Sequence, residues 1–293
     1  MNLFVFGYGY SASHYVRTRR NAYDHVAATA RSGAKRDGMA RERIDAFVFS
    51  PDEMDDGVTA ALAQADRLLV SIPPSPTGDA ALRRLAGAIA AAPRLRCIVY
   101  LSTIGVYGDH AGAWIDEATT PAPSNDRSVW RLAAEEGWRA LARQKGASAH
   151  VLRLAGIYGP GQNALVNLRA GTAKRIVKPG QVFNRIHVED IARSIDAAFA
   201  FPDAHADSVW NVCDDEPAPP QDVVTYAAGI MGVAPPPELD FETANLSPMA
   251  RSFYSECKRC SNRAMREELG VTLAYPTYRE ALDSLYAEGE AAA

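Results

Sequence analysis

The sequence of 293 residues predicts an α/β protein with a doubly wound parallel sheet. Short apolar runs alternate with helical stretches through the first half of the chain, an order typical of strands that pair in parallel through right-handed crossovers. Four of the first six runs lack strict alternation of apolar and polar residues, as in strands that helices cover on both faces. The first run leads directly into a glycine-rich turn. These three features predict one sheet between two layers of helices.

Strands and helices are predicted in chain order from these patterns. The strands are Asn2–Phe6, His25–Thr29, Ala46–Phe49, Arg67–Ile72, Cys97–Leu101, Ala149–Arg153 and Ser208–Cys213. The helices lie near Ser11–Arg20, Val58–Gln64, Gly78–Ala92, Ser128–Gln144, Val188–Phe201, Asp222–Gly232, Asn262–Leu269 and Thr277–Tyr286. The tail Glu288–Ala293 is expected to be frayed.

The regular pattern loosens after Gly156, which predicts a division of the chain. Residues 1–156 with about 183–213 are predicted to form the sheet domain. The remaining segments, about 157–182 and 214–293, are predicted to form a smaller C-terminal part.

Composition excludes several classes of protein. The net charge is −4 and the pI about 5.9, so no global basic field would attract nucleic acid. No apolar run approaches the roughly 18 residues that a membrane helix needs. The N-terminus has the pattern of a strand and not of a signal peptide. Neither nucleic acid nor a membrane is therefore expected as a partner.

The four cysteines are Cys97, Cys213, Cys257 and Cys260. The first two lie in strand-like runs and are predicted to be buried. The last two form a CxxC, but no second CxxC or histidine pair completes a zinc site. We therefore expect no bound metal, keep a redox pair as an alternative, and expect a reduced cytoplasmic protein.

The glycine-rich turn after the first strand carries the pattern GxGxxA. Gly7 would allow the tight turn, Gly9 would let backbone N–H groups approach a pyrophosphate, and Ala12 is small enough for the helix to pack on the strand. Tyr10 and Ser11 would begin a helix whose positive end faces the phosphates. The alternative is an ordinary tight turn without a ligand.

The end of the second strand bears on the choice of nucleotide. NAD-binding units place an acidic residue about 20 residues past the glycines, where it holds the ribose 2′-hydroxyl. Here Arg31 and Ser32 occupy that place, and they suit a 2′-phosphate. NADP is therefore favoured over NAD, the alternative being a solvated basic turn. Ser71 and Pro73, at the end of the fourth strand, are predicted to line the same cofactor cleft.

Three further segments, together with the glycine turn, point to one family. Ser102–Gly108 reads STIGVYG, Leu152–Gly161 reads LRLAGIYGPG, and Arg185–Ala192 reads RIHVEDIA. Over roughly residues 1–215 the chain resembles the NAD-dependent epimerase/dehydratase family, the extended and atypical short-chain dehydrogenases/reductases. The resemblance implies a Rossmann domain, a smaller substrate part, and chemistry on nucleotide sugars or other carbonyl and alcohol substrates.

The chain departs from this family at the catalytic pair. The family carries Tyr-x-x-x-Lys on the helix after the VYG segment, and here Arg127 and Arg131 fill the two positions. Arginine cannot shuttle protons near neutral pH because its pKa exceeds about 12. Arg131 could still bind ribose hydroxyls, and Arg127 is assigned to the substrate. Thr103 replaces the family's serine, and its hydroxyl could bond a substrate oxygen.

Tyr107 is the first candidate for the missing acid, because it lies past the end of the fifth strand. With Arg127 or Arg131 nearby, its pKa is expected to fall from about 10 toward a useful range. The alternative is that Tyr107 packs a loop. The other titratable groups here, Asp116 and Glu117 among them, are expected to be solvated.

Position in the family suggests further roles in the C-terminal half. Asn163, Asn184 and Arg185 lie in segments that the family uses for substrate. His187 and Asp190 resemble a catalytic pair, but we favour their interpretation as the start of a helix.

Two classes of function remain open. The first is an NADP-dependent oxidoreductase or epimerase-like enzyme acting on a small molecule. The second is a non-catalytic NADP(H)-binding sensor or regulator, which the two arginines favour. A cofactor-free scaffold fits poorly with Gly7, Gly9 and Arg31. A monomer or a homodimer is expected, since family members often dimerise through the helices near 78–92 and 128–144.

Overall fold

The computed structural model describes residues 1–202 and 206–290. The strands are β1 (Asn2–Phe6), β2 (His25–Ala30), β3 (Asp45–Val48), β4 (Arg67–Val70), β5 (Cys97–Thr103), β6 (Trp114–Ile115), β7 (Ser148–Leu154), β8 (Gly156–Tyr158), β9 (Arg175–Val177), β10 (Arg185–His187), β11 (Asp207–Val212), β12 (Glu238–Asp240) and β13 (Arg259–Cys260). The helices are α1 (Tyr10–Arg19), α2 (Gly33–Met39), α3 (Gly57–Ala63), α4 (Ala80–Ala91), α5 (Asp126–Lys145), α6 (Ala164–Arg169), α7 (Val188–Ala200), α8 (Pro220–Ile230), α9 (Pro248–Phe253), α10 (Arg263–Glu267) and α11 (Tyr278–Ala287).

Seven of these strands form the central sheet, in the order β11-β7-β5-β4-β1-β2-β3. All of its neighbouring pairs run parallel, and the order reverses direction next to β1. Open parallel sheets bind ligands beyond the carboxyl ends of their strands at such a reversal. The predicted doubly wound α/β fold is therefore confirmed, and the turn after β1 lies at the reversal.

Two apolar layers cover the sheet. On one face the sheet packs against α1 and α7, through residues that include Ala12, Tyr15, Ile191 and Ile195. On the other face it packs against α3, α4 and α5, through residues that include Val58, Leu85 and Trp138. Burial on both faces explains why the strands lack strict alternation.

Side-chain caps explain where several helices begin. Asp79 accepts from the N–H groups of Ala81 and Leu82 at the start of α4, and Asn125 accepts from Ser128 N at the start of α5. Such caps satisfy N–H groups that have no partner within the helix. The helix predicted from Gly78 therefore begins two residues later.

The seven predicted strands of the sheet are all present, and their ends differ from the predicted bounds by at most two residues. Helix α2 was not predicted, because its short sequence GAKRDGM buries only Met39 and so has no apolar face to detect. Three small parallel ribbons, β8 with β10, β9 with β12 and β6 with β13, were also not predicted, since strands of two or three residues carry no periodicity.

The C-terminal part has its own small core between α6, α8 and α11. Its buried residues include Leu165, Ala227, Tyr278 and Leu282. Strand β6, which follows β5 in the sheet half, pairs with β13 near the C-terminus. Because the two halves share this ribbon, the division into two domains stays a prediction.

The end of the chain is more ordered than the sequence predicts. The backbone N–H of Glu288 donates to Ser284 O at 2.9 Å, and that of Glu290 donates to Leu285 O at 2.9 Å. Glu290 Oε1 also accepts from Gly161 N at 2.8 Å. The expected fraying is therefore wrong for residues 288–290, and residues 291–293 lie outside the described part of the chain.

The part of the chain that the structure describes lacks two kinds of feature. None of its helices is long and apolar enough to span a membrane. None of its clusters of His, Cys, Asp or Glu could hold a metal ion. The four cysteines are free thiols, and Cys97, Cys213 and Cys260 are buried.

Candidate functional site

The turn after β1 requires glycine at its first position. Gly7 has φ of +87°, and a Cβ there would lie 2.7 Å from Ile72 Cγ2. Its N–H donates to Thr29 Oγ1 at 2.9 Å, which ties the turn to the end of β2. Ala12 is fully buried against the sheet, as its small size predicts.

The start of α1 can accept an anion. A Cβ on Gly9 would meet no atom within 4 Å, so the space beside the turn is open. Among the described residues, the N–H groups of Gly9, Tyr10 and Ser11 have no hydrogen-bond acceptor, and no side chain caps the helix. Free N–H groups and the positive end of a ten-residue helix suit a pyrophosphate, so these residues fit a dinucleotide.

Tyr10 links this turn to the C-terminal half. Its hydroxyl donates to Pro160 O at 2.9 Å. Burial, with a smaller contribution from the carboxylate of Glu290, raises the pKa of Tyr10 to about 12. The side chain is therefore a neutral donor that connects the turn to the loop after β8.

The end of β2 presents an unpaired cation. Arg31 is exposed and has no hydrogen-bond or ion-pair partner in residues 1–202 or 206–290. Ser32 caps α2 by accepting from Lys35 N at 3.5 Å, while Arg36 pairs with Asp37 and Asp55. A free guanidinium beside a hydroxyl matches the arrangement that a 2′-phosphate would need.

The ends of β4 and β5 complete the same edge of the sheet. Ser71 N donates to Phe6 O at 2.8 Å, and Pro73 follows on the surface. Thr103 Oγ1 accepts from Gly105 N at 3.1 Å at the start of a short 3₁₀ turn. The hydroxyl proton of Thr103 is therefore not used by this cap and remains available to a substrate oxygen.

The two arginines that the sequence places at the family's Tyr and Lys positions, Arg127 and Arg131, differ in environment. Arg127 is exposed, and nothing in the described ranges bonds its guanidinium. Arg131 Nη1 donates to Leu101 O at 3.0 Å and to Tyr100 Oη at 3.3 Å, and its guanidinium lies 5.7 Å from the Tyr100 ring centre. Arg131 therefore stabilises β5 through these bonds, whereas Arg127 faces solvent one helical turn earlier.

Tyr107 does not have the environment that the sequence predicts. The side chain is buried, and its hydroxyl donates to Asn211 Oδ1 at 2.9 Å. Burial raises the pKa of Tyr107 to about 12, and the opposing effect of Arg153, 4.7 Å from the ring centre, is smaller. The expected lowering of its pKa was wrong, because burial of the hydroxyl outweighs the lowering effect of the nearby cation, which is Arg153 and not Arg127 or Arg131.

Glu117 also departs from its prediction. It is half-buried and accepts from Asn211 N at 2.7 Å. Burial raises the pKa of its carboxyl above the usual value. It is therefore not a solvated loop carboxylate, whereas Asp116 is exposed as expected.

His187 and Asp190 begin α7, as the favoured interpretation predicts. His187 Nδ1 accepts from Glu189 N at 3.2 Å and caps the helix. Asp190 is buried and accepts from Ala274 N at 2.6 Å and from Tyr275 N at 3.1 Å. Burial lowers the pKa of His187 to about 4 and raises that of Asp190 to about 6.

The three residues assigned to the substrate by position are not brought together. Asn163 and Arg185 line one cleft of about 490 Å³ in the C-terminal half. Asn184 does not line it, because its amide bonds to Lys258 O at 2.9 Å and Cys260 N at 2.8 Å. Asn184 therefore holds β10 to β13.

Sequence reasoning missed other groups in this half. Tyr278 lines the same cleft, and Asp214 is a buried carboxyl two residues after the end of β11. The position of Asp214 after a sheet strand was an available signal. Lys258 is buried inside the CxxC segment, where its ammonium donates to Gly108 O at 2.6 Å and pairs with Glu256.

A parallel sheet, a glycine turn at its reversal and free N–H groups at the start of α1 define a Rossmann-like NAD-binding protein. A profile of the NAD dependent epimerase/dehydratase family matches residues 9–213. The chain belongs to this family.

The chain is also similar to individual known proteins. The Protein YeeZ of Escherichia coli (strain K12) is 29% identical over 225 residues, which cover 74% of this chain and 75% of that protein. A functionally unknown conserved protein from Silicibacter pomeroyi DSS has a solved structure with a TM-score of 0.86 and 45% identity, covering 99% of both chains. The dTDP-glucose 4,6-dehydratase DesIV from Streptomyces venezuelae, solved with NAD and TYD bound, has a TM-score of 0.76 and 18% identity, covering 98% of this chain and 97% of that chain.

Proposed function

We propose that the protein is an NADP-dependent oxidoreductase or epimerase-like enzyme that acts on a carbonyl, alcohol or nucleotide-sugar-like small molecule. The observation that carries the choice of NADP is the free guanidinium of Arg31 beside Ser32 at the end of β2, where NAD-binding units have a carboxylate. A carboxylate there would repel a 2′-phosphate, whereas arginine can bind it through two N–H groups.

Each part of the cofactor has residues proposed to hold it. The N–H groups around Gly9, Tyr10 and Ser11 would take the pyrophosphate, and Arg31 with Ser32 would take the 2′-phosphate. Ser71 and Pro73 would border the groove at β4. When bound, the nicotinamide supplies or accepts the hydride.

The proposed substrate contact at the reaction centre is Thr103, whose hydroxyl can donate to a substrate oxygen while it caps the 3₁₀ turn. Arg131 supports β5 through Leu101 O, and the exposed Arg127 is the proposed contact to a substrate anion. Tyr107 is proposed to support the loop through its hydrogen bond to Asn211. Its buried hydroxyl and raised pKa disfavour proton transfer near neutral pH.

A specific observation favours a second candidate, an NADP(H)-binding sensor or regulator without turnover. Arg127 and Arg131 are proposed to fill both positions of the family's proton-transferring pair, and burial and a raised pKa make Tyr107 poorly suited to replace them. Such a protein would keep the nucleotide affinity of the first candidate and lose only its chemistry.

Calorimetric titration with NADP⁺ and NAD⁺ tests the shared part of both candidates. We expect Arg31→Ala to weaken NADP⁺ binding by about tenfold or more, since charge-assisted hydrogen bonds contribute about 1.5–3 kcal/mol, and to leave NAD⁺ binding unchanged. Arg41→Ala is the matched control, because Arg41 is also an exposed arginine of this region. Equal losses in the two variants, or no nucleotide binding by the wild type, would contradict the proposal.

Turnover separates the enzyme from the sensor. NADPH oxidation is followed with a panel of aldehydes, ketones and nucleotide sugars, using wild type and Thr103→Val. The enzyme predicts oxidation that falls by about 100-fold when the hydroxyl is lost. Tight NADPH binding without oxidation of the cofactor by any member of the panel would favour the sensor.

A further inference from the structure

The loop 159–163 contacts both the glycine turn after β1 and the end of the chain. It follows β8 and closes on itself, with Gly159 N donating to Gln162 O at 3.1 Å and Gln162 N donating to Gly159 O at 3.0 Å. Asn163 Nδ2 also donates to Gly159 O, at 2.9 Å. Because these bonds stabilise the loop from within, its two sides are expected to move together.

One peptide unit of this loop is bound on both sides. Tyr10 Oη donates to Pro160 O at 2.9 Å, and Gly161 N of the same peptide donates to Glu290 Oε1 at 2.8 Å. The peptide is trans, so its C=O and N–H groups point in opposite directions. Hydrogen bonds in such a chain polarise one another, so the bond to Glu290 strengthens the bond to Tyr10.

The loop fits closely around the hydroxyl of Tyr10. A Cβ on Gly159 would lie 2.8 Å from Tyr10 Oη and 2.7 Å from Val188 Cγ1. A side chain at position 159 would therefore displace one of these two groups. Glycine at this position permits the contact between Tyr10 and the loop.

The tail that supplies the other partner is folded back on α11. Glu288 N donates to Ser284 O at 2.9 Å. Glu290 N donates to Leu285 O, also at 2.9 Å. These bonds direct the Glu290 side chain toward the loop. Its carboxylate contributes to the raised pKa of Tyr10, so the negative charge lies near that hydroxyl.

Tyr10 also belongs to the proposed nucleotide site. It is the first residue of α1, and its backbone N–H is one of the donors at the helix start that lack an acceptor among the described residues. A pyrophosphate at this place would order the residue whose hydroxyl holds the loop. Because both contacts order Tyr10, formation of one lowers the entropic cost of forming the other.

We propose that Tyr10, the Pro160–Gly161 peptide and Glu290 form a latch that couples nucleotide binding to the position of the C-terminal tail. A bound nucleotide would favour the latched tail, and the latched tail would raise nucleotide affinity by the same factor. The inference rests on the proposed nucleotide site at the start of α1 and adds the regulation of that site.

The first test is calorimetric titration of the full-length protein with NADP⁺. We expect Glu290→Ala and Tyr10→Phe each to weaken binding by about fivefold, the effect of one lost hydrogen bond. The double variant should bind within about twofold of the weaker single variant, since both changes break the same chain of bonds. Glu288→Ala is the matched control, because its carboxylate is exposed in the same tail and accepts from Ser284 of α11.

The second test reads the latch without a change in affinity. Amide hydrogen exchange at Gly161 is measured by NMR with and without saturating NADP⁺. We expect the nucleotide to slow this exchange by about fivefold in the wild type and to leave it unchanged in Tyr10→Phe. The amide of Gly232, which donates to Gly229 O at the end of α8, is the control and should not respond in either protein.

Three outcomes would overturn the latch alone. They are NADP⁺ affinity in folded Glu290→Ala that equals or exceeds that of the wild type, losses that add in the double variant, and wild-type exchange at Gly161 that is the same with and without NADP⁺. A wild type that binds no NADP⁺ would contradict the proposed function and the latch together, so the two failures are distinguishable.

Discussion

At the scale of single residues, the least expected feature is a buried ion pair between the sheet and helix α5. Arg153 of β7 and Glu135 of α5 are both buried, with Arg153 Nη2 donating to Glu135 Oε2 at 2.7 Å. Ser102 also donates to Glu135, and Arg153 lies over the Tyr107 ring. Each side chain neutralises the charge of the other and bonds its polar atoms. The pair therefore connects α5, β5 and β7 only while both partners are present.

Removing one partner should therefore be strongly destabilising. We expect Glu135→Gln to lower the free energy of unfolding by about 3–5 kcal/mol, because Arg153 would keep a buried charge without a counter-charge. Urea unfolding followed by circular dichroism measures the effect. Glu136→Gln is the control, since this neighbour makes only exposed ion pairs and should change stability by less than about 1 kcal/mol. Similar losses in both variants would contradict the interpretation.

His187 makes stability depend on pH. Burial, with a smaller effect of His14 that Glu189 opposes, lowers the pKa of His187 to about 4 from an unfolded value of 6.5. Between these values the unfolded chain binds more protons, so this residue's contribution to stability is complete above pH 6.5 and decreases as the pH falls toward 4.

The substitution that isolates this effect is His187→Asn, which removes the titration and keeps a side-chain oxygen that can cap α7. We expect the loss of stability between roughly pH 7.5 and 4.5 to be smaller in the variant by about 1–3 kcal/mol. Urea midpoints at the two pH values measure it, and parallel pH profiles for the variant and wild type would refute the assignment.

At the scale of elements, two glycines illustrate opposite constraints. Gly108 ends the 3₁₀ turn after β5 with φ of +74°, and a Cβ there would lie 2.0 Å from Ala122 O. Gly9 has an ordinary φ of −85°, and a Cβ there would meet nothing within 4 Å. The structure thus predicts that Gly108 is needed for folding and Gly9 for the ligand.

For Gly108→Ala we expect a loss of more than about 2 kcal/mol, since backbone atoms must move and the residue must keep a left-handed conformation. Gly87→Ala is the control, because Gly87 is exposed within α4 and nothing lies within 4 Å of its added Cβ. That change should stabilise by about 0.5–1 kcal/mol. Thermal unfolding compares the two, and a stable Gly108→Ala would show that the turn can adjust.

For Gly9→Ala we expect the opposite result, a loss of ligand affinity without a loss of stability. Stability should stay within about 0.5 kcal/mol of wild type, while NADP⁺ affinity should fall at least tenfold, because the methyl group would enter space needed by the pyrophosphate. Paired melting curves and calorimetric titrations check both halves. Unchanged affinity would remove this turn from the nucleotide site.

At the scale of the whole molecule, the sequence predicts the features that depend on residues close to one another along the chain. The β1 turn with Gly7 and Ala12 follows from spacing alone, and so do the seven sheet strands. The environment of Tyr107 could not be predicted, because its partner Asn211 lies 104 residues away and its neighbouring cation comes from β7. Arg185 and Tyr278, two residues that line the cleft in the C-terminal half, are likewise brought together only by packing of β10 against α11.

The ordered tail is another long-range feature. The N–H of Gly161 donates to Glu290 Oε1, whereas the N–H of the neighbouring Gln162 donates to Gly159 O at 3.0 Å. In Glu290→Ala we expect amide hydrogen exchange at Gly161 to rise by about tenfold, the effect of one lost hydrogen bond, with no change at Gln162. Exchange read by NMR measures both amides in one sample, and equal rates for Gly161 in the variant and wild type would exclude the contact.

The anchoring of Glu290 bears on how the protein should be handled. The amine of Met1 pairs with Asp24 at the amino end of β1, about 17 Å along the strand from the glycine turn. Glu290, in contrast, bonds to Gly161 at the cleft in the C-terminal half and raises the pKa of Tyr10 of that turn. An affinity tag or fusion partner joined after residue 290 would therefore add foreign groups near this cleft and the proposed nucleotide site, whereas one joined before residue 1 would lie far from both.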